Sequence, residues 1–150
     1  MSVRENIATN IVQALQGITN PGVVLVSRNP INTTDLAITQ FPAIVVRTTS
    51  EERDDATQGT NGLRLAEIDY NIIGFVRANS SETTTNNNID TQRNALIEAI
   101  EEKLEEDRTR NNQALNSFVA TVSVDDGTIF PIGRVDITYR CTYKYTRGTL

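Results

Sequence analysis

Histidine is absent from this 150-residue chain, and cysteine occurs once. The first absence excludes Ser-His and Cys-His nucleophilic machinery and removes the commonest zinc ligand. The second excludes an internal disulfide and a cysteine-only metal site. The one thiol, Cys141, lies on the apolar side of an alternating stretch and reads as a small core residue. Carboxylate and lysine chemistry survive these exclusions. Lysine is scarce too: of 14 basic residues only Lys103 and Lys144 are Lys, and the rest are Arg. Arginine grips carboxylates bidentately and suits interfaces. Codon usage would produce the same skew, so both readings stand.

Other absences narrow the class further. No apolar run approaches the roughly 20 residues that a membrane span needs. The start, "MSVRENIATN", has no basic region leading into an apolar stretch, so no secretory signal is read and folding in a cytoplasm is expected. The net charge of −5 gives no chain-wide nucleic-acid footprint. Phosphate-loop, nucleophile-elbow and dinucleotide fingerprints are all missing. Apolar residues make up 38% and charged residues 22%, a globular composition, and the length suits one domain over 1–150.

The periodicities supply the elements. Val3, Ile7, Ile11, Ala14, Leu15 and Ile18 recur at helical spacing over 2–18, behind a Ser2–Glu5 capping box, and "TNPG" ends the run. "VVLVS" (23–27) and "FPAIVVRT" (41–48) read as short strands. Residues 63–76 alternate, with Ala66, Ile68, Tyr70 and Ile72 on one face, and turn apolar on both faces from Ile72 onward. That end is expected under a helix or a neighbouring subunit. A second helix spans 89 to about 106, with Ile89, Leu96, Ile97, Ile100 and Leu104 as its stripe, and Arg108 and Arg110 suit its negative end. Strands follow over 117–124 and 134–145. The order is α-β-β-β-α-β-β, an α+β domain whose antiparallel sheet is covered on one face by two helices.

Three polar connections stand out. Residues 49–62 read as a loop too long for a hairpin and too charged to be buried in the monomer, carrying Glu51, Glu52, Arg53, Asp54 and Asp55. Its acidic spacing lacks the alternation and glycine of a calcium loop. The reading is a projecting segment that contacts a partner and whose shortening leaves the monomer folded. Residues 77–88 read as a flexible polar loop and 125–133 as a turn. The second helix also carries Glu98, Glu101, Glu102, Glu105 and Glu106, either a solvated face or a surface meeting another chain's arginines.

The segments "ITNPGVVLV", "FPAIVV", "YNIIGFVRA", "ALIEAIEEKLEEDR" and "TIFPIGRVDITYRCTYKY", in that order, resemble the tail terminator (tail completion) proteins of bacteriophages and the related neck proteins. The resemblance implies a hexameric ring on the head-proximal end of the tail tube, stopping tube polymerisation and offering the head-joining surface. It implies a virion protein of the tail or neck, assembled in the host cytoplasm. Its partners would be other copies of itself, the tail tube protein and a head–tail connector. No membrane, cofactor, metal or sequence-specific nucleic acid is implied, although DNA would pass through such a ring. Arg140 and Lys144, on the polar side of the last strand, are then expected at a subunit interface or on the channel wall, with the 50–55 charges at a partner contact. A connector or stopper is the alternative, followed by a tail tube protein and, last, a carboxylate- or lysine-based enzyme.

Overall fold

The computed structural model describes residues 2–19, 21–30, 40–54, 63–77, 89–125 and 132–146. Two helices and five strands follow one another as α1 (Val3–Gln16), β1 (Leu25–Ser27), β2 (Ala43–Asp54), β3 (Leu63–Arg77), α2 (Ile89–Glu105), β4 (Asn116–Val124) and β5 (Ile132–Thr146). This is the expected α+β order. The five strands form one sheet in the order β1-β2-β3-β5-β4, with β1 parallel to β2 and every other pair antiparallel.

Helix α1 starts where the sequence signalled it. Ser2 accepts a hydrogen bond from the Glu5 amide at 3.3 Å, satisfying one of the orphan donors of the first turn. The Glu5 carboxylate reaches Arg28 just beyond β1, pinning the helix start to the sheet edge. Helix α2 ends on Arg110. This side chain is fully buried, with Nε 2.6 Å from the Asp107 carbonyl and Nη2 2.8 Å from the Leu104 carbonyl. The negative end of the helix thus holds a cation that would otherwise be costly to bury.

The core lies between the helices and one sheet face. Ile7, Ile11 and Leu15 of α1 and Leu96, Ile100 and Leu104 of α2 pack on Ile68, Tyr70 and Ile72 of β3 and on Val135, Ile137, Tyr139 and Cys141 of β5. Two glycines let α2 come close. A Cβ on Gly74 would stand 2.6 Å from Leu96 Cδ2, and one on Gly133 would stand 2.8 Å from Ile89 Cγ1. The apolar end of β3 is buried on both sides. Ile72 and Val76 join the helix-covered core, while Ile73 and Phe75 join Val45 in a second cluster on the opposite face.

One boundary departs from the sequence reading, and it matters for function. Residues 49–54, expected in a loop, continue β2 and pair with β3 as far as Asp54 opposite Leu65. Residues 55–62, including Asp55, lie outside the described residues, as do 78–88 and 126–131 of the other two connections. Length, glycine content and polarity point to a loop over 49–62, but one strand of twelve residues beside a fifteen-residue neighbour gains a ladder of backbone hydrogen bonds.

The ladder also contains a bulge. Thr48 pairs with Tyr70 and Ser50 with Asp69, leaving Thr49 as the extra residue, its hydroxyl donating to the Asp69 carbonyl at 2.9 Å. Even-numbered residues of β2 face the helices before the bulge (Ile44, Val46, Thr48). Odd-numbered ones do so after it, Glu51 opposite Ile68 and Arg53 opposite Ala66.

Candidate functional site

The bulge divides the charged residues singled out by the sequence between two surfaces. Glu51 and Arg53 fall on the helix-covered face, whereas Glu52, Arg140 and Lys144 fall on the open one. Asp54 ends β2, paired with Leu65.

Glu51 is the hub of the first group. Its carboxylate accepts a hydrogen bond from the Tyr143 hydroxyl and one from Arg53 Nε at 2.6 Å, and Arg4 Nη2 of α1 stands 3.8 Å away. The Arg53 guanidinium in turn sits 5.1 Å from the centre of the Tyr145 ring, and Tyr70 donates to the Arg4 carbonyl at 2.7 Å. Burial pushes the Glu51 carboxyl up, but the hydrogen bonds from Tyr143 and Arg53 and the two arginine charges outweigh it and hold it below its ordinary value. Burial, reinforced by the bond to Glu51, pushes the Tyr143 phenol up to about 12. A carboxylate held this firmly in its ionised form fastens α1, β2 and β5 together; it is poorly suited to accept a proton near neutrality. Of the charges expected to face a partner, Glu51 pairs with Arg53 and Tyr143 within the chain, while Arg53 stays exposed.

The open face carries a second arrangement. Arg140 grips Asp69 across β3 and β5 with Nε at 2.8 Å and Nη2 at 3.2 Å from the two carboxylate oxygens. Along the same strand Arg134 pairs with Asp136 at 2.9 Å. Lys144, farther along the strand opposite Leu65, is exposed, and Glu52 stands exposed directly opposite Glu67. Like charges in direct cross-strand register are mildly unfavourable. A recess of about 210 Å³ opens beside this pair, lined by Glu52, Arg53, Leu65, Ala66, Glu67 and Thr142.

Several contributors were not singled out by sequence reasoning. Arg4, Asp69, Tyr143 and Tyr145 become visible only once β3 is placed between β2 and β5. Arg93 of α2 is buried and donates from Nη1 to Asp125 Oδ1 at 2.7 Å, tying the helix start to the end of β4. Exposed apolar residues at the sheet edge, Leu115, Phe118, Val122 and Val124, were also passed over. A strand with apolar residues at both odd and even positions and no charge was their available signal.

Cys141 is fully buried opposite Ile68 and Ser117, and burial pushes its thiol up to about 12. It is a core group, as expected. Among the described residues no helix is long and apolar enough to cross a membrane, and no three His, Cys, Asp or Glu side chains gather as a metal site requires.

No family model and no curated protein matches the chain. Among solved structures, a chain of the virion of a native gene transfer agent particle superposes with a TM-score of 0.54 at 12% identity, over 96% of this chain and 98% of that one. At that identity the likeness shows a shared fold and not a shared family. It spans both chains almost end to end, so the likeness concerns the fold as a whole and not one part of it.

Proposed function

We propose that this protein is a structural component of a phage-type virion. In this reading its single domain assembles as a closed, hexameric ring on the head-proximal end of the tail tube, halts tube polymerisation and presents the surface to which the head joins. The observation that carries the reading is the end-to-end fold likeness to a chain of a gene transfer agent virion. The resemblance of the ordered sequence segments to those of tail terminators supports the finer assignment. The chemistry is consistent with it. The ionisable groups of the Glu51 hub and of the Arg140–Asp69 pair are spent on each other, and no histidine is available for acid–base work.

Electron microscopy of the purified protein, alone and mixed with tail tubes, tests the proposal. Single rings and tubes capped at one end are expected. Indefinite tubes from the protein alone would assign it to the tube itself, and a monomer that leaves tube length unchanged would overturn the ring reading.

A further inference from the structure

All five large apolar side chains exposed among the described residues lie at the two opposite edges of the one sheet. Val24, 58% exposed, precedes β1 at one edge. Leu115, Phe118, Val122 and Val124, exposed by 51%, 46%, 40% and 48%, line β4 at the other. Neither edge bears a further strand among the described residues. Among the described residues, each therefore presents unpaired backbone donors and acceptors next to apolar side chains. A sheet protein that works alone guards such an edge with charges, proline or a covering element. "NSFVATVSV" (116–124) contains no charge and no proline, and neither does "VVLVS" (23–27).

We propose that the two edges are halves of one contact. The β1 edge of one copy docks against the β4 edge of the next, so that the sheet runs on from subunit to subunit. The occupant is a second copy of this chain because the two apolar edges are matched in character. Both strands are uncharged, and Arg28 beside β1 is already paired with Glu5, so docking buries no unpaired ion and brings no like charges together. A two-fold β4–β4 contact would leave Val24 and β1 uncovered, whereas a head-to-tail contact covers both edges. Only a contact between two different surfaces also generates a closed ring. Strand β1 has three residues against the nine of β4, so the ladder between copies is short, and side-chain packing by Phe118 on the open face and by Val122 on the helix-covered face supplies the rest. This inference rests on the ring reading above and names the surface that would close the ring.

The test uses a short bis-maleimide linker on Val24→Cys and Val122→Cys proteins, kept separate and then mixed. The native Cys141 is buried and stays unlabelled. Cross-linked dimers are expected in the mixture and in neither protein alone, with a ladder up to the closed ring when both substitutions share one chain. Self-cross-linking of Val122→Cys would show two-fold β4 pairing and overturn the proposal. Rings seen by microscopy without cross-links in any combination would overturn it too, while leaving the ring reading in place. Absence of both rings and cross-links, even on tail tubes, would remove the ring reading itself. As a second arm, Val122→Lys should abolish rings with an unchanged melting temperature, since the side chain is exposed in the monomer. Rings that persist in this variant would count against docking at β4.

Discussion

The phenol of Tyr143 donates to the carboxylate of Glu51 across the intervening strand β3, between residues 92 apart in the chain. Two features make the meeting possible. The bulge at Thr49 turns Glu51 toward the helices, and Ala66, which pairs with Tyr143 and with Arg53, is small enough to let the longer side chains pass over it. The contact joins the far end of β2 to β5, and Arg4 adds the start of α1.

Tyr143→Phe removes the donor and keeps the ring. Hydrogen bonds to charged groups contribute about 1.5–3 kcal/mol, so urea denaturation should show a loss in that range. Glu51→Gln should cost a similar amount, and the double variant should cost less than the sum because the two groups act on each other. Additive losses would show that the pair is not coupled.

Acid should destabilise the protein through Glu51. Its carboxyl is held below the ordinary value in the folded chain, so its contribution is complete above the ordinary carboxylate range. That contribution is lost as pH falls through the lowered folded value. Stability measured between pH 7 and pH 3 should therefore decline less steeply in Glu51→Gln than in the wild type. Parallel curves would exclude Glu51 as a contributor.

Deleting one threonine of the Thr48–Thr49 pair removes the bulge residue and restores plain alternation. The pairing of Ser50 with Asp69 and of Glu51 with Ile68 is then kept. The variant should fold and keep the Tyr143–Glu51 bond, losing about 0.5–1.5 kcal/mol with the Thr49 hydrogen bond. Deleting Val46 instead would also use up the bulge, but it would move Arg47 into the core position opposite Ile72 and should prevent folding by burying an unpaired charge. Equal tolerance of both deletions, judged by circular dichroism and melting, would contradict the register.

Gly74→Ala should cost about 1–3 kcal/mol, because the new methyl meets Leu96 and Val135 at 2.6 and 2.8 Å in a packed layer. Gly22→Ala is the control. Its nearest neighbour would be the Thr19 carbonyl at 3.6 Å, an ordinary contact, so little change is expected. Thermal melts of the two variants should separate clearly.

Cys141→Ala should leave assembly intact, while Cys141→Ser should lose about 1–3 kcal/mol by burying a poorly paired hydroxyl. A thiol reagent should label the native wild type only as fast as it unfolds. Rapid native labelling would mean that the thiol is accessible after all.

Much of the fold was legible in the chain because it depends on residues near one another in sequence. Three- and four-residue spacing marked α1 and α2, and Ser2 marked where α1 begins. Alternation in 63–76 and 134–145 marked two long strands and assigned Cys141 and the tyrosines to the core face. The same local logic misled at 49–54. A run of charges has the composition of a loop, and nothing within it shows that β3 lies alongside to pair its backbone. Alternation also could not assign Glu51 to the helix side, because the bulge shifts its phase and exists only in relation to Asp69 on the neighbouring strand. Partners such as Arg140 and Asp69, or Glu51 and Tyr143, are set by strand order and register. The two sheet edges are a matter of which strands lack a neighbour. Local periodicity is a property of one segment, whereas pairing, register and edges are relations between segments, and only the packed sheet decides them.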